Sequence, residues 1–127
     1  MGDNKGYIRN TDERGSVNIS EDVVAIIASA AASEVEGVHS LFFSPGKELS
    51  SMFTGKSLSK GVKLLIEEDD IVIDVSVIVA IGHSVSVVGA EIQRVVMSAV
   101  EAAVGVSVKA VNVHICGVSL KKNKSNV

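Results

Sequence analysis

Asn112, His114 and Cys116 alternate along a short apolar run, so on a strand their side chains would share one face. A histidine beside a cysteine could ligate a metal or serve as base and nucleophile. A metal needs three or four convergent ligands. Spacing fixes only two here, with Asp74 or Ser76 as candidate neighbours and His83 well outside the strand. A nucleophilic cysteine also needs a partner base and a cleft, and the sequence supplies no cleft. An ordinary semi-polar sheet face accounts for the row. Gly55-Lys56-Ser57 matches the end of a phosphate-binding loop, but that motif needs a second glycine five residues earlier, where Ser50 stands. The run Glu67-Glu68-Asp69-Asp70 has neither the spaced ligands nor the central glycine of a calcium loop, and reads as a solvated turn. With His39, His83 and His114 scattered, the sequence predicts no catalytic group, no metal site and no cofactor.

The composition excludes further classes. Of 127 residues, 46% are hydrophobic and only 3% aromatic, while Val and Ile together supply 34 positions. Disordered chains lack such aliphatic content. One cysteine cannot staple a disulfide scaffold. A base-stacking nucleic-acid reader needs aromatics on a basic surface, whereas this chain has a net charge of −3 and no Trp. No two glycines stand three apart, as an RNA-clamping GxxG loop requires. The longest stretch free of Asp, Glu, Lys and Arg runs from Val75 to Ala90 and is broken by Gly82-His83-Ser84, which is too short and too polar to span a bilayer. The chain therefore reads as soluble and intracellular, with no anchor of its own, no nucleic-acid partner and no direct insertion into a membrane.

These residues must be held by regular elements, and the pattern gives six. Residues 1–14 are polar and read as a mobile lead-in, residues 15–120 as one domain, and residues 121–127 as a basic tail. Val17 and Ile19 alternate with polar residues as a short strand. Ser20 caps a helix over about residues 21–35, with Glu21 and Asp22 at its positive end. Val23, Ile27, Ala30 and Ala31 mark its apolar stripe, widened by Val24, Ala28 and Val35, and Gly37 stands where a left-handed cap would end it. Val62, Leu64 and Ile66, then Ile71 through Ile81 at period two, form a hairpin about the acidic turn. Ser84 or Ser86 caps a second helix, whose stripe is Ile92, Val95, Val96, Ala99, Val100 and Ala103, with Gly105 past its end. Val111, Val113 and Ile115 face inward on a last strand. The expected fold is α+β, a two-layer sandwich of order strand-helix-strand-strand-helix-strand, with both helices on one face of a small mixed sheet.

Residues 38–60 have no period, and they hold all three phenylalanines of the chain. Lys47, Lys56, Lys60 and the following Lys63 oppose a single acid there, Glu48. A loop of this kind either folds its large residues onto the core or offers them to an anionic surface or an acidic partner. The candidate contact residues are Phe42, Phe43, Met52, Phe53, Lys56 and Lys60 from the loop, with Leu65 and Ile78 from the outer sheet face.

Three segments carry a family resemblance. "GSVNISEDVVAIIASAAASEVEGV" (Gly15 to Val38), "GVKLLIEEDDIVIDVSVIVAIG" (Gly61 to Gly82) and "IQRVVMSAVEAAVGVSVKAVNVHICGV" (Ile92 to Val118) resemble, in order, the opening signature, the central hairpin and the closing helix and strand of the bacterial alkaline-shock protein family, also called the envelope stress response family. Members often carry Pro early in the second helix, where Val87-Val88-Gly89 stands here. The resemblance implies a non-enzymatic cytoplasmic protein that acts near the cell envelope under stress. It also implies tethering by a small membrane-anchored protein, or self-association. The alternative function is a regulatory binding subunit of a soluble biosynthetic enzyme.

Overall fold

The computed structural model describes residues 7–42, 61–67 and 70–120. Along the chain lie β1 (Tyr7–Asp12), β2 (Gly15–Ser20), α1 (Glu21–Ser33), β3 (Val38–Leu41), β4 (Val62–Glu67), β5 (Asp70–Ala80), α2 (Val85–Val104) and β6 (Val108–Ser119). The fold is α+β, as the alternation of strand and helix patterns predicts. β5 is the hub. β3 and β4 pair with it antiparallel and β6 pairs with it parallel, which makes the sheet mixed.

The period-two run of β5 dictates the layering. Ile71, Ile73, Val75, Val77 and Val79 are at most 1% exposed, while the alternate residues Val72, Asp74, Ser76 and Ile78 are half-buried. The buried row packs under both helices, α2 contributing Val88, Ile92, Val96, Val100 and Val104 at every fourth position. Each fully buried Val or Ile contributes about 1.5–3 kcal/mol relative to an exposed one, so this one interface dominates the core. The helix ends are set locally. The Ser20 and Ser84 hydroxyls accept from the N–H groups of Val23 and Val87, and Gly105 closes α2 in the left-handed region.

Four expectations need correction. The polar lead-in contains a strand, because β1 folds back on β2 about Glu13-Arg14, where the Asp12 carboxylate accepts from the Arg14 N–H at 2.8 Å. Ile8 enters the core, and Asn10 Nδ2 donates to the Val104 carbonyl at 2.6 Å. Residues 38–41 of the supposed loop form β3, paired with β5 through a bulge at His39. The buried stripe of α1 runs through Val24, Ala25, Ala28 and Ala32, leaving Val23 46% exposed. Apolar residues cover this helix nearly all round, so hydrophobicity alone does not choose its angle, and the small alanines set it by letting the sheet approach. Finally, Gly37 does not cap α1. Glu34 does so with right-handed backbone, and Gly37 (φ 99°) instead turns the chain into β3.

Candidate functional site

Among the described residues no element covers the far face of the sheet, and the strand register fixes what stands on it. Lys63, Asp74 and Asn112 form one row across β4, β5 and β6, and Leu65, Val72 and Ala110 form the next. His114 lies opposite Ser76. Ile78 lies opposite Gly117, where its Cδ1 sits 3.1 Å from the place a Cβ would occupy, so the glycine makes room for the isoleucine. Asp74 Oδ1 accepts from Asn112 Nδ2 at 2.9 Å and lies 3.7 Å from His114 Nε2. The face is thus a polar centre, Asp74 with Asn112 and His114, flanked by Leu65 (55% exposed) on one side and Ile78 on the other.

Cys116 Sγ lies 3.7 Å from the backbone carbonyl of His114, and that carbonyl is its hydrogen-bond partner. Among the described residues no group of three or more His, Cys, Asp or Glu side chains could hold a metal ion.

The edge of this face carries the most informative geometry. β3 and β4 run in the same direction along the same side of β5, end to end. At their junction Phe42 donates its N–H to the Ser76 carbonyl and Gly61 accepts from the Ser76 N–H, both at 2.8 Å. In an unbroken antiparallel strand a single residue opposite Ser76 would make both bonds. Here two residues, Phe42 and Gly61, divide one place between them. Gly61 (φ 82°) permits this: a Cβ on it would meet Leu41 Cβ at 2.9 Å and the Phe42 carbonyl oxygen at 3.0 Å. β3 and β4 pair with β5 in register on either side of this junction.

Of the candidate contacts, Phe42, Leu65 and Ile78 all belong to the open face. Phe42 is 38% exposed and sits at the insertion point. Phe43, Met52, Phe53, Lys56 and Lys60 lie outside the described residues, as do Gly55-Lys56-Ser57 and the basic tail. Sequence reasoning missed Lys63 and Asp74 as row partners, since their meeting depends on the register of β4 on β5. It also missed a groove of about 650 Å³ between the end of α1 and the start of α2, lined by Val35, Val87, Val88, Glu34 and Glu91 among others. There Arg94 hydrogen-bonds Glu91 and holds its carboxyl below the usual carboxylate range.

Comparison with known proteins places the chain. Residues 9–120 match the alkaline shock protein 23 family, described as having a cell envelope-related function, and the chain belongs to that family. It is 38% identical over 113 residues to the uncharacterized protein Spy1535 of Streptococcus pyogenes serotype M6, covering 88% of this chain and 85% of the relative. To the uncharacterized protein YqhY of Bacillus subtilis it is 31% identical, over 89% of this chain and 84% of the relative. Neither the family description nor these names carries an enzymatic activity. Among solved structures the chain is similar to one titled MamM CTD H264A-E289A-C267S, at a TM-score of 0.47 and 19% identity, over 76% of this chain and 93% of the other. Among the described residues no helix is long and apolar enough to cross a membrane.

Proposed function

We propose that this protein is a non-enzymatic stress-response adaptor at the cytoplasmic side of the cell envelope, and that its open sheet face with the inserted loop takes a protein partner. The carrying observation is the junction at Ser76: Phe42 and Gly61 share the two backbone groups of this one residue, in a sheet whose outward positions also include Leu65 and Ile78. An inserted loop adds contact surface without altering the strand that holds it. A face of exposed apolar residues around a hydrogen-bonded polar centre suits a protein surface better than a small substrate. The cell envelope-related description of the family supports the location. Because no described helix is suited to spanning a bilayer, a membrane-anchored protein is the partner class that would hold the chain at the envelope.

The test is affinity capture from cross-linked bacterial cells, comparing the wild type with a Phe42→Ser, Leu65→Ser double variant. Both positions are exposed, so the variant keeps its far-UV circular dichroism. Recovery of a membrane-anchored partner, reduced about tenfold or more in the variant, is the expected result. Capture of one soluble enzyme instead would favour a regulatory subunit. Undiminished capture would remove the open face from the account.

A further inference from the structure

The groove between the end of α1 and the start of α2 lies on the helix side of the sheet, away from the open face. Gly37 (φ 99°) builds it. A Cβ there would meet Val88 Cγ2 at 2.6 Å and the His83 ring at 3.2 Å, so glycine lets the turn after α1 close against the first turn of α2. Val35 and Val88 are buried within the groove, whereas Val87 on its rim is 66% exposed. Val87, Glu91 and Val95 follow one another at four-residue spacing along one face of α2, so this wall runs aliphatic, acidic, aliphatic.

The charge of the groove is one-sided. Glu34, Glu36 and Glu91 line it, and among the described residues that do so none is Lys or Arg. Glu91 is paired with Arg94. Among the described residues neither Glu34 nor Glu36 has a side-chain partner. Glu34 caps α1 and Glu36 follows it, at the end where aligned peptide dipoles already concentrate negative charge, and the last turn of the helix holds no base. Two carboxylates at this end lower the stability of the helix, and functional sites are where such local preferences are broken. A cation held there offsets both carboxylates and the dipole together.

We infer that the groove receives a basic amphipathic helix of a partner protein. An aliphatic side chain of that helix seats against Val35, Val87 and Val88, and a Lys or Arg one turn away meets Glu34 and Glu36. A helix whose aliphatic row is flanked by bases is the complement of a groove whose aliphatic row is flanked by acids. A small cation would satisfy the acids but leave Val87 uncovered. An uncharged apolar segment would bury carboxylates without partners. The site is separate from the open sheet face, and the adaptor reading does not depend on it.

Fluorescence anisotropy of the full chain tests the inference. The probe is a labelled helix of about 14 residues of Leu, Ala and Lys with its leucines on one face, and the same helix with Glu for Lys is the control. Saturable binding of the Lys helix alone is expected, with amide shifts in NMR spectra centred on Val35, Val88 and Glu91. Glu34→Gln with Glu36→Gln weakens it about fivefold or more, and Val87→Ser by a similar factor. Glu13→Gln with Glu21→Gln removes the same charge, partly from the other end of α1, and leaves binding unchanged. The Glu34 and Glu36 variant keeps or raises the wild-type melting temperature, so its loss of binding is not a loss of fold. Absence of saturable binding, equal binding of the Glu helix, equal loss in both charge variants, or a Val87→Ser variant that binds as tightly as wild type would overturn the inference. So would changes at the same amides of the free chain on dilution, which assign the groove to a second copy. Changes there on Lys121→Gln, Lys122→Gln and Lys124→Gln together would overturn it in favour of the chain's own basic tail.

Discussion

Gly61 bears more of the architecture than its size suggests. Its positive φ and the absence of a Cβ let two chain ends meet opposite one residue of β5. An alanine there incurs about 1–2 kcal/mol for the left-handed backbone, and more for the contact with Leu41. Gly61→Ala is expected to lower stability by about 2 kcal/mol and the melting temperature by roughly 8 °C, measured by thermal unfolding. An unchanged melting temperature would mean that the chain ends close in some other way. Glycine was legible at this scale, but its reasons were not. Gly105 ends α2 as the pattern predicts, whereas Gly37 serves a turn in which a Cβ would come within 2.6 Å of Val88, a contact between segments about fifty residues apart that no local motif encodes.

At the scale of the element, β5 was readable because a strand buried on one face writes a period of two into its own sequence. β3 was not. It has four residues and a bulge, so it shows no period, and its partner lies some forty residues further along the chain. The division of one strand into β3 and β4 was hidden for the same reason, and with it the meaning of the loop. Leu65 and Ile78 were legible as outward positions of strands. Their place in one surface with Phe42 follows from register, which no local pattern carries. The insertion makes a direct prediction. Deleting residues 43–61 leaves Phe42 alone opposite Ser76 and joins Leu41–Phe42 to Val62 in unbroken register. Removing a loop of this length from the closure cost contributes up to about 2–3 kcal/mol in favour of the folded state. The shortened chain should therefore unfold cooperatively at the same or a higher temperature. Loss of the native circular dichroism would show that the loop belongs to the core.

For the whole molecule, the packed scaffold and the proposed contact surface meet at one position of one strand. The helices and the buried row of β5 hold the fold, while the far face and its polar centre lie outside that packing. Such separation is what the proposed adaptor function requires, a scaffold that persists while a surface meets a partner. The central claim is that partner binding and folding are separable at Ser76. The most direct measurement is capture from cross-linked cells by the chain lacking residues 43–61, alongside its thermal unfolding. The account predicts intact cooperative unfolding together with loss of the wild-type partner; a folded deletion variant that still captures that partner in full would contradict it.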